Sequence, residues 1–408
     1  MKIILTTYGS RGDVQPILAL SLALKKAGHN VTLCAPPENK EWIENYQCPF
    51  HPLGDNLKEA MEKIPPIHTI KATFAFMSLW RKALSDQFDQ LPEIIKGADL
   101  VIGSGLTLGV PSVAEQFKIP FCLLVVCPQS LPSAYYPPSQ FHNHNLKKIV
   151  NRILWWYCNK IDNLTYKGII NKGRKSIGLT PIKDLYKHFL GHKIILASDI
   201  HLGVCPSDVK QDYIQIGHFP LKQEGGLGKE LEDFLYSGFP PIYFGIGSMP
   251  NQDPKLTTQI VIEAARKNGQ RLILSSGWAG LGKSEKNDDF FVVGSVPHDL
   301  LFPKVSMVIH HGGHGTTATA ARAGVPQIIV PQILDQHYWA NQIHIAGLGP
   351  KPINRLKLTV DSLSSAINTC ITDQIMRDKA INTGRLLISQ NSLEKAVKFI
   401  ESNFKKGV

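Results

Sequence analysis

The sequence predicts an α/β protein of two Rossmann-like domains, each built on a parallel sheet and facing the other across a cleft. Three observations carry this expectation. A chain of 408 residues is long enough for two separate cores. Its first part alternates short apolar strands with helices, beginning at KIILTTYGS, and PIYFGIGSMP near residue 241 starts the same strand, turn and helix series again. Between the two, Gly225, Gly226, Gly228, Gly238 and Pro240 break up a polar stretch that reads as a linker. The expected partition is a first domain at 1–217, a linker at 218–240 and a second domain at 241–375.

In the first domain, Ile3 to Thr7 reads as a buried strand and Gly9 to Gly12 as a glycine turn. Val14 to Ala27 reads as a helix closed by Gly28, with VTLCA as the next strand. ADLVIGSG (98–105), the helix PSVAEQF and IPFCLLVV (119–126) continue the alternation. Strand ends in such a sheet face the ligand crevice, which puts Ser10 to Asp13 at that crevice. Residues 128–145 are loop-like, rich in Pro, Ser, Tyr and Asn, and Ile371 to the end reads as helical.

Composition bounds the rest. Hydrophobic content of 43% and charged content of 19% are ordinary for a soluble α/β chain. The seven cysteines (34, 48, 122, 127, 158, 205, 370) form no CxxC pair and no metal-ligand spacing. They read as reduced, buried thiols of a cytoplasmic protein. The N-terminus runs directly into a strand, so no signal peptide is expected, and no apolar run reaches the ~20 residues that span a bilayer. The net charge of +11 suits nucleic acid, an anionic membrane or an anionic substrate equally.

Residues 146–176 sharpen that choice. Leu146, Ile149, Val150, Ile153, Tyr157, Ile161 and Leu164 recur at helical spacing, with Lys148, Arg152 and Lys160 outside that set. The stretch holds eight Lys or Arg against one acid, Asp162. Two readings stand: a domain helix with a solvated basic face, or a helix lying on an anionic membrane surface with Trp155 and Trp156 at the interface. No nucleic-acid recognition motif accompanies the charge, so nucleic acid is not expected as a partner.

The most informative stretch is His310 to Gln336. VSMVI (305–309) is a strand ending at His310 and His311. Gly312, Gly313 and Gly315 follow, and Thr316 and Thr317 open an alanine-rich helix that Gly324 ends. VPQIIVP is the next strand, and a further helix opens on Asp335 and Gln336. A glycine turn feeding hydroxyls and a free helix N-terminus is a ready anion site, so a phosphate or diphosphate is expected over Thr316 and Thr317. GWAGLGKS (277–284) fits the P-loop pattern only in letters. A charged loop and a strand follow it, where a P-loop needs a helix.

These residues also resemble a family. HHGGHGTT, AGVPQ and DQHYWA are similar to the donor-binding signature of the family-1 glycosyltransferases, more narrowly the sterol and the bacterial glycopeptide and macrolide glycosyltransferases. SVPHDLLFP (295–303), TYGSRGDVQP (7–16) and IYFGIGSMP (242–250) resemble further motifs of that family, in order across residues 3–350. The resemblance implies a GT-B fold in which the C-terminal helices, 376–408, return to the first domain. It implies inverting transfer of a hexose, foremost glucose, from a UDP-sugar or a dTDP-sugar as co-substrate, with no permanently bound cofactor. The acceptor would be an apolar molecule bearing a hydroxyl, such as a sterol or other lipid. A polyketide or peptide aglycone, or donor binding without transfer, are the alternatives. No D-x-D occurs, so no metal is expected at the diphosphate.

The resemblance also distributes roles. Asp13, three residues before Pro16, stands where the family's base stands, and a carboxylate can take the proton of an attacking hydroxyl. From position alone it reads equally as a helix N-cap. A helix N-terminus would hold its pKa down. Gly103 occupies the place of a second acid, so a lone base is expected. Ser10 and Arg11 are expected to bind the donor from the first domain, with Arg11 facing its phosphates. His311, the backbone at Gly313 and Gly315, Thr316 and Thr317 would contact the diphosphate. Gly247 and Ser248 would add a phosphate or ribose contact, and Trp278 lies in a loop near the donor. Val296 and His298 resemble base-edge contacts, and Asp335 with Gln336 would hold sugar hydroxyls. The protein is expected in the cytoplasm, with a peripheral place at the inner face of the membrane if the basic helix binds lipid.

Overall fold

A computed structural model describes residues 1–64, 70–223, 225–246, 253–276 and 289–405. The first domain holds seven parallel strands: β1 (Lys2–Tyr8), β2 (Asn30–Ala35), β3 (Phe50–Pro52), β4 (Leu100–Gly105), β5 (Phe121–Val125), β6 (Lys193–Leu196) and β7 (Tyr213–Gln215). Their order is β3-β2-β1-β4-β5-β6-β7. The second domain holds β8 (Ile242–Gly245), β9 (Leu272–Ser275), β10 (Phe290–Val293), β11 (Met307–His310) and β12 (Gln327–Ile329), in the order β10-β9-β8-β11-β12. Both sheets reverse direction of winding once, between β1 and β4 and between β8 and β11. A crevice opens at such a reversal, outside the carboxyl ends of the strands.

Eight helices matter to the site and its support. They are α1 (Arg11–Lys26), α2 (Ile70–Ile95), α3 (Lys148–Ser176), α4 (Lys229–Tyr236), α5 (His314–Ala323), α6 (Gln336–Ile345), α7 (Gln374–Ile388) and α8 (Ser392–Phe404). The strands are apolar nearly throughout because helices cover both faces of each sheet. Ile3 and Leu5 of β1 pack with Ile17 and Leu20 of α1 and with Ala396 and Ile400 of α8. Ile4, on the opposite face, joins Leu84 and Phe88 of α2 and Ile170 of α3. All seven cysteines are free and buried.

Three sequence boundaries shift. Helix α1 starts at Arg11, before the expected Val14, because Ser10 and Asp13 close its first turn. The expected linker 218–240 is mostly structured. Phe219 and Leu221 belong to the first core, whereas α4 buries Leu231 and Leu235 against Tyr243 and Ile273 of the second. Of the C-terminal helices, only α8 returns to the first domain. Ala380 and Leu387 of α7 pack with Ala318 and Ala321 of α5 in the second.

That last cluster also joins the domains. Cys127, Tyr136 and Leu202 from the first domain share it with Tyr338, Trp339 and Ile343 from α6. The rings of Tyr136 and Tyr338 meet edge to face, 5.6 Å apart at 82°. An apolar seam therefore sets how α5 and α6 sit relative to the first sheet.

Helix α5 is seated from behind by a close backbone crossing. A Cβ on Gly384 of α7 would lie 2.8 Å from the Cα of Gly324 and 3.0 Å from the carbonyl oxygen of Ala321. Gly324 itself has φ +73. Gly384→Val is expected to push α7 off α5 and to destabilise the fold by about 1–3 kcal/mol, the usual cost of overpacking. Thermal unfolding checks this, with Gly168→Val, whose added Cβ meets nothing within 4 Å, as the comparison.

Candidate functional site

The first half of the site is the turn after β1. Its geometry depends on Gly9: a Cβ there would lie 2.4 Å from Oδ2 of Asp13. With glycine in place, Oδ2 accepts from the backbone N–H of Ser10 at 2.8 Å and from its hydroxyl at 3.0 Å. Asp13 is thus the third residue of α1, with Ser10 preceding the helix, and is not the N-cap. Both Ser10 donors are committed to Asp13, which makes Ser10 a support of the carboxylate in this state. Burial pushes the Asp13 carboxyl above the ordinary aspartate value, with the Ser10 bonds acting against it. The helix N-terminus was expected to hold it down. Removal from water outweighs that dipole here. Asp99 sits at the other end of β4, where its carboxylate accepts from the Lys2 amide at 2.8 Å.

Arg11 is exposed and reaches across to the second domain. Its Nη1 donates to Oγ of Ser295 at 3.2 Å, and its guanidinium lies 4.5 Å above the Trp42 ring. Neither partner was apparent from the sequence, because one is 284 positions away.

The second half is the turn from β11 into α5. His310 is fully buried. Its Nδ1 accepts from the Gly312 amide at 3.0 Å, so Nε2 carries the proton and donates to Oε1 of Gln327 at 2.9 Å. It fixes the turn, as expected of a strand-end residue. Gly312 has φ +90, and a Cβ there would lie 2.9 Å from the backbone oxygen of Gln336. Gly313 is the N-cap, and a Cβ on it would meet Nε2 of His311 at 2.5 Å. The His311 ring therefore lies over Gly313. Burial pushes its pKa down to about 4, which leaves a neutral imidazole able to donate one hydrogen bond. Its Nδ1 has no protein partner.

Helix α5 begins at His314, two residues before Thr316, and no side chain caps it. The first intrahelical bond at this end runs from the Thr317 amide to the Gly313 carbonyl. The amides ahead of it are the uncapped donors of an N-terminus. A Cβ on Gly315 would meet nothing within 4 Å, so the space beside this turn is open. Thr316 is half-exposed there, whereas Thr317 is fully buried and its hydroxyl donates to the Gly313 carbonyl at 3.0 Å. The Thr317 side chain thus faces the protein and not the cleft. His314, in the first turn of α5, is buried, with its ring 5.0 Å from that of His218 and 5.2 Å from that of Trp339.

Residues 295–298 and 335–336 complete the rim. Tyr243 and Nε2 of His298 are hydrogen-bonded at 3.0 Å, and the ring stacks on Phe302 at 4.5 Å. Burial, and then the charges of Arg11 and His311, press His298 down to about 4. Val296 is partly buried beside the second core. Oε1 of Gln336 accepts from the amides of Gln332 and Ile333 at 2.9 and 3.2 Å, so its oxygen shapes the loop. Asp335 is the residue ahead of α6 and caps nothing with its side chain. Its carboxyl is pushed up to about 6, first by burial and then by the charge of Asp13. Gly247, Ser248, Trp278 and the P-loop look-alike at 277–284 lie outside the described residues.

Asp13, Arg11, Ser295, His298, His311 and Asp335 therefore converge on one gap between the domains. The sequence places each near a strand end. It does not show that Asp13 and Asp335, 322 positions apart, act on each other.

Comparison with known proteins agrees. Residues 3–136 match the glycosyltransferase family 28 N-terminal domain, and residues 282–400 match the erythromycin biosynthesis protein CIII-like C-terminal domain. Vancomycin aglycone glucosyltransferase of Amycolatopsis orientalis is 35% identical over 97% of this chain and 99% of its own. A sterol 3-beta-glucosyltransferase of Arabidopsis thaliana is 31% identical over 97% of this chain and 67% of its own. The crystal structure of glycosyltransferase VinC in complex with dTDP superposes over 100% of both chains with a TM-score of 0.72 at 18% identity. The kitacinnamycin glycosyltransferase does so over 98% of both, with a TM-score of 0.75 and 18% identity.

Two Rossmann-like domains with the site in the gap between them are the GT-B architecture. The chain belongs to the family-1-type glycosyltransferases, together with the glycopeptide and sterol enzymes, and is a sugar-transferring enzyme.

The raised Asp335 gives a sign-checked expectation. A carboxyl whose folded pKa of about 6 exceeds its unfolded value favours the fold when protonated, and that contribution is lost as pH rises through about 6. Asp335→Asn is therefore expected to be more stable than the parent at pH 8, by about 1–3 kcal/mol. The advantage should vanish below about pH 4. Denaturant unfolding at both pH values measures it.

Proposed function

We propose that this enzyme transfers a hexose, foremost glucose, from a UDP-sugar to a hydroxyl of an apolar acceptor such as a sterol or other lipid, with inversion at C1. The observation that carries the reading is the meeting of α1, with Asp13 in its first turn, and α5, whose N-terminus no side chain caps. The acceptor oxygen attacks C1, the bond from C1 to the diphosphate oxygen breaks, and Asp13 takes the hydroxyl proton. A base whose pKa is raised by burial is a stronger proton acceptor than a solvated aspartate.

The leaving diphosphate gains negative charge as that bond breaks. The N-terminal amides of α5, the Thr316 hydroxyl and the neutral His311 imidazole are the donors aimed at it. Such preorganised donors lower the barrier by about 3 kcal/mol each when they act on developing charge. Arg11 adds the positive charge that reaches the gap from the first domain. Asp335 accepts from sugar hydroxyls, and the amide nitrogen of Gln336 donates to them. Val296 and His298 border the donor's base.

A second reading is a natural-product enzyme that uses a dTDP-sugar on a polyketide or peptide aglycone. It draws support from the similarity to vancomycin aglycone glucosyltransferase and from fold neighbours crystallised with thymidine diphosphate.

Asp13→Asn is expected to lower kcat by about 10²- to 10⁴-fold, the range of general-base catalysis, with donor binding retained. Transfer is followed with labelled donor against a panel of sterols and other hydroxylated lipids, and donor binding by calorimetry. Full transfer by the variant removes Asp13 as base. Competition between UDP and dTDP in the same calorimeter decides the donor: UDP binding more tightly supports the first reading, dTDP the second.

A further inference from the structure

Helix α3 presents an apolar face to the outside of the molecule. Ile149, Ile153, Trp156, Tyr157, Ile161 and Leu164 are all exposed, with Trp156 at 62% and Leu164 at 82%. At helical pitch these six side chains share an arc of roughly 140°. The side of the helix that meets its own domain packs Trp155, Tyr166, Ile169 and Ile170, and carries Asn151, which donates to the Ala134 carbonyl at 2.9 Å, and the buried Cys158. A domain helix whose outer face is solvated keeps that face polar. The sequence reading of a domain helix with a solvated basic face is thus half correct: the outer face is basic, but it is also apolar.

The cations are arranged around that stripe. Lys147, Lys148, Arg152 and Lys160 are exposed, and Lys160 lies within the arc, with Nζ 5.8 Å from the Trp156 ring. Lys148 sits 3.8 Å over the ring of Tyr135, itself half exposed. The helix's one acid, Asp162, is turned inward and accepts from the Tyr186 hydroxyl at 2.8 Å. The outer face from 149 to 164 therefore holds no carboxylate of this helix.

We propose that this face docks on an anionic lipid bilayer, with the helix lying flat in the headgroup region. An apolar stripe edged by lysine and arginine, with a tryptophan among them, suits that interface. A second copy of the chain is the poorer occupant. A twofold contact would set the same uncompensated cations against each other. Among the described residues no helix is long and apolar enough to cross a membrane, so the helix lies on the surface and does not span it. The proposal stands on α3 alone and does not depend on the identity of the sugar donor.

The test is sedimentation of the full chain with vesicles of phosphatidylcholine, or of phosphatidylcholine with 30% phosphatidylglycerol (a proportion of roughly that order gives a strongly negative surface). Binding to the anionic vesicles at least tenfold tighter than to the neutral ones, weakened by salt, is expected. Trp156→Ser with Leu164→Ser should lower the anionic partition at least tenfold, and so should Lys148→Ala with Arg152→Ala. Circular dichroism and donor binding report that each variant is folded. Equal binding to both vesicle types, no binding to either, or unchanged binding by both folded variants overturns the proposal. So does a dimer in sedimentation equilibrium that the serine variant dissolves.

Discussion

The structure depends on one electrostatic constraint: two carboxylates from different domains face one gap, and the same gap opens on an uncapped helix N-terminus. Asp13 is held at its place by Ser10, and Asp335 is pushed up to about 6, first by burial and then by the charge of Asp13. Two half-buried like charges are costly unless something neutralises them. The groups available are the first amides of α5, the Arg11 guanidinium and a proton on Asp335. This explains why the cleft suits a donor that is anionic at one end and rich in hydroxyls at the other. Under the proposed function the anion takes the amides and the cation, and the hydroxyls take the carboxylate.

Packing makes that arrangement durable. His310 and Gln327 pin the end of β11, Gly312 lets the turn approach the backbone of α6, and the crossing of Gly384 on Gly324 holds α5 from behind. The seam of Tyr136, Tyr338 and Trp339 then ties this assembly to the first sheet. Each contact lies outside the reacting atoms, yet each sets the distance across which a proton and a sugar move. Small errors in such placement are costly to rate.

Much of this was legible in the sequence because the informative residues sit at strand ends, where local pattern and topology agree. The β1 turn with Asp13 and the β11 turn with its glycines could be placed before any coordinates. What failed to show were effects of partners distant in sequence. Thr317 reads as a hydroxyl at a helix start, but the helix begins three residues before it, at His314, and turns it inward. Nothing in the local pattern around His314 shows that His218 and Trp339 enclose it. The sign of the Asp13 shift was missed because a dipole is visible in sequence and desolvation is not. The Tyr338–Trp339 pair in DQHYWA was the available hint of a buried seam, since adjacent large aromatics at the start of a helix need cover from more than one side. In α3 the periodicity shows the apolar stripe, but which face looks outward depends on partners such as Ala134, which accepts from Asn151 and which no periodicity contains.

The most direct test of the shared gap is a carbon-13 titration of the aspartate carboxyls, comparing the parent enzyme with Asp13→Asn. The parent should show Asp335 titrating near 6, and the variant should show it at lower pH, because a neighbouring negative charge has been removed. An Asp335 that titrates at the ordinary aspartate value in the parent, or that does not move when Asp13 is neutralised, would mean that the two carboxylates do not face the same space.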